Sequence, residues 1–274
     1  MRLVFIEKGN DIVNSFFDFV DVVLSRRSMI EKINEYISYI PAAEVPISSD
    51  VGIIYGKNCT YVFDVGSIPE SLDFLHSLNG NVQIVVSHFH GDHTWWLTRH
   101  KSGEEGMLPG DTLSLKYEPV KYEKLYIGKG TEKYLPDGEI IREPYIICDN
   151  INAEKDIDNE GDDKPLKLEI LPMPSSHSKG SLALVVNDEY IFMGDSTYCR
   201  YIPKKESIED HAEFNVQKLK EQIDLLKSIK ADKCLISHEK RIMRPKKVVI
   251  RQLESIYARR QPGENVIKLS KNES

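Results

Sequence analysis

Cysteine is scarce in this chain. Cys59, Cys148, Cys199 and Cys234 are scattered and form no C-x-x-C pair, which excludes a disulfide framework and fits reduced thiols in a cytosolic protein. Long apolar runs are missing as well, since no uncharged stretch approaches the roughly 18 residues that a membrane helix needs. The apolar start, MRLVFIEKGNDIVNSFFDFV, is interrupted by Glu7, Lys8, Asp11 and Asp18, and no small-residue cleavage site follows. The expected location is therefore the cytoplasm. Positive charge is in deficit: 36 Lys and Arg against 43 Asp and Glu leave a net charge of −7, which argues against a nucleic-acid binder. Neither an internal repeat nor a low-complexity linker divides the 274 residues, so one core domain of ordinary α/β size is expected.

The remaining sequence is strongly patterned. From Asp11 to about Ile40, Ile12, Phe16, Phe19, Val20, Val23, Ile30, Ile33 and Ile37 recur at helical spacing. This predicts a helical elaboration over residues 1–46, packed on a core of 47–274 and able to serve as a homodimer contact. After Pro46, VGIIYG and TYVFDVG read as a strand hairpin, PESLDFLHSL as a helix and NVQIVVSH as a buried strand. Residues 98–125 show no clear period and read as an irregular insertion. Asp149 to Asp163 is acidic, but Lys167 stands where a calcium loop needs its bidentate Glu, so a solvated loop is expected. LKLEILPMP, SLALVVN, EYIFMGD and ADKCLISH read as strands, and 214–229 and KKVVIRQLESIYARR as helices. Strands alternating with helices predict an α/β or mixed layered architecture.

The chemistry is concentrated in Ser87-His88-Phe89-His90-Gly91-Asp92-His93, which places four potential metal ligands within six residues after an apolar strand. Alternate residues of an extended segment share a face, so His88 and His90 can reach one ion together. A sharp backbone turn at Gly91 would send Asp92 and His93 to a neighbouring point. His177, Asp195 and His238 then stand at three further strand ends, the usual way an open sheet assembles a site. Crowding these groups beside a core strand would be costly without a cation. The other histidines, His76, His100 and His211, have no ligand-type neighbours at useful spacing.

His88-x-His90-x-Asp92-His93, followed in order by His177, Asp195 and His238, resembles the signature of the metallo-β-lactamase superfamily over roughly residues 47–245. The resemblance implies an αββα sandwich, two mixed sheets face to face with helices outside and the site at one edge. It implies a first ion on His88, His90 and His177, and a second on Asp92, His93 and His238. Asp195 would bridge them, and Asp64 would support a ligand histidine from behind. Two such cations, zinc by ligand type with iron and manganese as alternatives, would share one water and make hydroxide available at neutral pH. Asp92 would orient that nucleophile and move its proton.

The expected activity is hydrolysis of an ester, thioester, lactone or phosphodiester in a small anionic substrate. True β-lactamases of the superfamily carry cysteine or serine where this chain has Asp195, and flavodiiron relatives carry a carboxylate at the position of His90. A persulfide dioxygenase using one iron is the alternative, and a tRNA-processing nuclease would need a broad basic face. Five of the nine residues from Glu239 to Lys247 are basic, so Arg241 or Arg244 is expected to contact the anion. Tyr198 and Trp95 are expected to line the pocket.

Overall fold

A computed structural model of the chain describes residues 30–97, 118–152, 164–203 and 210–270. The first sheet begins with β1 (Glu31–Lys32) and β2 (Ile37–Ile40), passes a small hairpin of β3 (Ala43–Glu44) and β4 (Ile47–Ser48), and continues with β5 (Val51–Tyr55) and β6 (Thr60–Phe63). Helix α1 (Pro69–Ser77) leads to β7 (Val82–Val85). One helical turn, α2 (Gly91–Thr94), precedes β8 (Lys124–Gly128) and β9 (Glu139–Ile141). The order is β1-β2-β5-β6-β7-β8-β9, antiparallel as far as β6 and parallel from β6 to β9.

The second sheet contains β10 (Tyr145–Asn150), β11 (Pro165–Pro172), β12 (Leu182–Val186) and β13 (Tyr190–Phe192), then β16 (Lys233–Leu235) and β17 (Met243–Pro245). Between β13 and β16 the chain forms β14 (Arg200–Pro203), β15 (Asp210–Asn215) and α3 (Val216–Ser228). After β17 come α4 (Lys246–Tyr257) and β18 (Val266–Ser270), which pairs with β15. Asn215 caps α3 by accepting a hydrogen bond from the Lys218 N–H at 3.0 Å.

Three apolar clusters define the layers. Ile37, Ile54, Phe63 and Tyr126 of the first sheet meet Leu168, Ile170, Leu184 and Phe192 of the second, so the sheets pack face to face. The Phe63 and Phe192 ring centres lie 5.5 Å apart. Leu72 and Leu75 of α1 cover the outer face of the first sheet with Trp96. Leu219, Ile223 and Leu226 of α3, with Val249 and Leu253 of α4, cover the second. The result is the expected αββα sandwich of mixed sheets.

The segment from Ile30 to Ile40 departs from the helical reading. Its isoleucines and tyrosines are β-branched and aromatic residues that suit a pleated surface, and β5 offers β2 a partner. Asn34 Oδ1 accepts from the Tyr36 and Ile37 N–H groups at 2.9 and 2.7 Å, turning the chain where a helix would continue. The remainder of that helical reading, and the dimer contact assigned to it, fall on residues 1–29, outside the described residues. Of the irregular reading of 98–125, residues 98–117 lie outside the described residues, and its last two belong to β8, which begins at Lys124. Asp149 and Asn150 belong to β10 rather than to a solvated loop; there Asp149 accepts hydrogen bonds from the Asn58 side chain and the Tyr61 hydroxyl.

Candidate metal centre

Strand ends deliver every candidate ligand to one edge of the sandwich. Ser87 and His88 follow β7, and His90 remains extended (ψ 148°) before the single turn of α2. That turn swings Asp92 and His93 onto a new heading. Gly91 opens it without a positive φ, and a Cβ there would meet Trp95 at an ordinary 3.6 Å. The change of direction therefore comes from the helical turn, and not from the conformational freedom of glycine. His177 arrives on the β11–β12 connection, Asp195 just after β13 and His238 just after β16.

These residues fall into two groups, His88, His90 and His177 in one and Asp92, His93, Asp195 and His238 in the other, with ligand atoms lying within 4.8 Å of one another inside each group. In the first, His90 Nδ1 lies 2.9 Å from His88 Nε2 and 3.0 Å from His177 Nε2. An imidazole Nδ1 has one in-plane lone pair or one N–H, so it cannot satisfy both neighbours as a hydrogen-bond partner. Burial, together with the neighbouring rings, lowers the pKa of His88 well below its usual value, and burial lowers those of His90 and His177. The three rings therefore present neutral nitrogens to a shared point, which is what a metal ion requires of them.

The second group is tuned in the opposite sense. His93 is fully buried, and burial opposes its charge. Asp64 and Asp195 beside it nevertheless hold its pKa well above the usual range. His93 Nε2 lies 3.4 Å from both Asp92 Oδ2 and Asp195 Oδ1. His93 Nε2 and Asp195 Oδ1 have no hydrogen-bond partner among the described residues. Burial would raise the carboxyl of Asp92, but the hydrogen bond from His238 at 3.0 Å and the charges of His93 and His238 hold it at about 2. The pocket is thus organised around a positive charge placed between two carboxylates, as a cation would supply. On both counts the residues present fit a pair of metal ions.

Asp195 connects the groups. Its Oδ2 lies 3.5 Å from His177 Nε2, while Oδ1 faces His93 and, at 3.7 Å, His238. Behind the ligands, Asp64 Oδ2 lies 2.7 Å from His93 Nδ1, and Asp64 Oδ1 accepts the Ser87 N–H at 2.7 Å. Gly194 packs against Ser87 with φ +51°, and a Cβ there would come within 2.5 Å of the serine Cβ, so glycine is required at this crossing.

A cavity of about 440 Å³ opens beside the first group, lined by His90, His177, Tyr198, Cys199 and Arg200. Tyr198 forms part of its wall, and its hydroxyl donates to the Ser237 carbonyl at 2.5 Å. The structure places the other three candidates away from the described wall of this cavity. Trp95 packs against the apolar cluster under the first sheet and is not a described wall of this cavity. Arg244 pairs with Glu239 and lines a second cavity of about 420 Å³ against α4. Arg241 is exposed and lines neither. Among the described residues, the cation that lines the cavity is Arg200, which sequence reasoning passed over. Its only signal was position, five residues beyond Asp195, in a stretch not read as a strand.

No protein-family model matches the sequence, and no curated protein matches it either. Solved structures do match. A B3 metallo-β-lactamase with an active-site glutamic acid is 9% identical over 85% of this chain and 90% of its own, with a TM-score of 0.53. The chemotaxis sensor ODP, solved as a peroxy diiron species, is 13% identical over 83% of this chain and 94% of its own, with a TM-score of 0.50. A metallo-β-lactamase superfamily protein of Sulfolobus tokodaii is 18% identical over 85% of this chain and 90% of its own, with a TM-score of 0.45. The fold of this chain is the metallo-β-lactamase fold. No helix among the described residues is long and apolar enough to cross a membrane.

Proposed function

We propose that this protein is a hydrolase that holds two divalent ions, zinc by the character of its ligands, and cleaves an ester, thioester, lactone or phosphodiester of a small anionic substrate. The observation that carries the reading is the division of Asp195, one carboxylate oxygen toward His177 and the other toward His93 and His238. A carboxylate so divided suits two ions sharing one ligand. His88, His90 and His177 would hold one, Asp92, His93 and His238 the other. Three neutral imidazoles suit zinc, and iron or manganese would accept the whole set as well.

A pair of divalent cations, when bound, supplies acidified water, with a pKa brought toward about 7, and polarisation of the attacked carbonyl or phosphoryl oxygen. The chain supplies the rest. Asp64 fixes the His93 ring by its Nδ1, leaving Nε2 free to face the second group. Asp92, ionised at any ordinary pH, accepts from His238 through Oδ2 and can orient a reacting water by its negative charge. A carboxyl at about 2 is a poor proton store, so orientation is its stronger contribution. Burial of His88, His93 and Asp195 excludes bulk water and strengthens every interaction inside.

Charge supports an anionic substrate. Two divalent ions outweigh the carboxylates of Asp92 and Asp195, Arg200 adds a further positive charge, and the described cavity wall carries no carboxylate. Arg200 has no ion-pair partner among the described residues. A volume of about 440 Å³ suits a small molecule.

The test combines metal analysis of the purified protein with turnover of a panel of thioesters, lactones, phosphodiesters and nitrocefin. Two zinc equivalents with turnover of anionic esters would support the reading. One iron, with oxygen uptake on a persulfide, would replace it.

A further inference from the structure

Asp50 stands just before β5, 188 residues from His238, and the two meet across the edge where the sheets converge. It is 7% exposed and fully engaged. Oδ2 accepts the backbone N–H of His238 at 2.9 Å and the Ser237 hydroxyl at 3.2 Å, while Oδ1 accepts the Ala42 N–H at 3.0 Å. The Asp50 N–H donates in return to Ser237 Oγ at 3.1 Å. His238 carries φ +61°, left-handed backbone that a histidine seldom adopts unless its surroundings impose it.

The tripeptide Asp-Val-Gly occurs twice, at 50–52 and at 64–66. The register of β5 against β6 pairs Gly52 with Phe63, which brings both aspartates to the same end of the hairpin. There Asp64 holds His93 by its ring, whereas Asp50 reaches His238 by its backbone.

We propose that Asp50 is the positioning residue for His238, holding the left-handed turn that aims the His238 ring at the second ion, so that the two Asp-Val-Gly segments support one histidine each of the same metal group. The proposal rests on the two-ion reading above. A carboxylate accepting from residues 237 and 238 together fixes the turn and with it the direction of the side chain, which ends 3.0 Å from Asp92 Oδ2. Without it, the Ser237 and His238 donors lose their acceptor and the turn is free to relax to negative φ, carrying the ring away. The first group shares no element with this clamp.

The test is zinc titration of the metal-free full-length chain, with stoichiometry and affinity read by competition against a chromophoric chelator and cobalt absorption as the spectroscopic signature. Asp50→Asn keeps one acceptor oxygen, Asp50→Ala keeps none, and Ser237→Ala removes only the hydroxyl. The expected result is an unchanged first ion and a second ion weakened about tenfold or more in Asp50→Ala, less in Asp50→Asn and least in Ser237→Ala, with the cobalt spectrum altered for the second ion alone. Leu75→Ala, a cavity variant in α1, should lose thermal stability yet bind both ions as the wild type does. Wild-type affinity for both ions in Asp50→Asn and Ser237→Ala would overturn the proposal even if Asp50→Ala failed to fold, as would equal weakening of both ions. A wild-type chain that takes up one ion only would sink the two-ion reading and this inference together.

Discussion

Asp64 and His93 face each other across 2.7 Å, His93 with no exposed surface and Asp64 with 1%. A buried carboxylate and imidazole at that distance act as one unit. The acid fixes which ring nitrogen carries the proton, and the ring presents its other nitrogen forward. Asp64→Asn keeps the size and one acceptor but loses the charge. Affinity for the second ion should fall about 10- to 100-fold, with the first ion held as before. Asp64→Ala goes further, leaving the Ser87 N–H without its acceptor in the core, at about 1–3 kcal/mol, and the His93 N–H with the Ser87 hydroxyl alone, 3.2 Å away. Zinc titration with thermal melting of both variants checks this; wild-type affinity for the second ion in Asp64→Asn would refute the coupling.

The two groups should also separate by pH. His88, His90 and His177 are held neutral, their pKa values lowered by burial, so no proton need leave them when an ion binds at pH 7. His93 and His238 are raised, against burial, by the carboxylates beside them, and must lose protons first. Affinity of the second ion should therefore rise with pH until those rings are neutral in the metal-free protein, while the first ion shows little dependence near neutrality. Calorimetry in buffers of different ionisation enthalpy would place the released protons on the second binding event. Release on the first event alone would contradict the assignment.

The ligands were legible because each stands where an apolar strand stops, and a strand end is visible as a run of Val, Ile and Leu broken by a polar residue. His88, Asp195 and His238 all show this pattern. Asp50 shows the mirror image, a polar residue just before a strand, which reads as a turn and carries no hint of a partner 188 residues away. β14, β15 and β18 escaped for a different reason: His211-Ala212-Glu213-Phe214-Asn215 alternates polar and apolar residues too briefly to separate from the helix that follows. The helical reading of 30–40 failed because isoleucines three and four apart satisfy a helical template, while Asn34 and the edge of β5 decide for a strand.

Arg200 and the basic turn can be told apart by kinetics. Arg200 lines the cavity beside His90 and His177, whereas Arg241 lies outside it and Arg244 is engaged by Glu239. Arg200→Glu should raise KM for anionic esters at least about tenfold, the scale of a lost charge-assisted hydrogen bond, and leave a neutral ester nearly unchanged. Arg241→Glu should change neither. An anionic-substrate KM that follows Arg241 and ignores Arg200 would move the anion contact back to the turn.

The cysteines test the packing that holds the site. Cys59 lies in the cluster shared by the two sheets and Cys234 in β16, under the helices on the second sheet. Burial pushes both thiols up to about 12, with Glu123 adding to the effect at Cys59. Cys199, on the cavity wall, is raised by burial as well, whereas Cys148 is exposed on β10. Thiolate is the reactive form, so at pH 8 an uncharged thiol reagent should modify Cys148 quickly and Cys199 slowly. Cys59 and Cys234 should stay silent until the chain unfolds. All four should then react without prior reduction, since none is bridged. Peptide mapping after timed labelling gives the order directly. Modification of Cys59 as fast as Cys148 in the native protein would mean that the sheets do not close over it, and the strand ends that converge on Asp195 would lose their common frame.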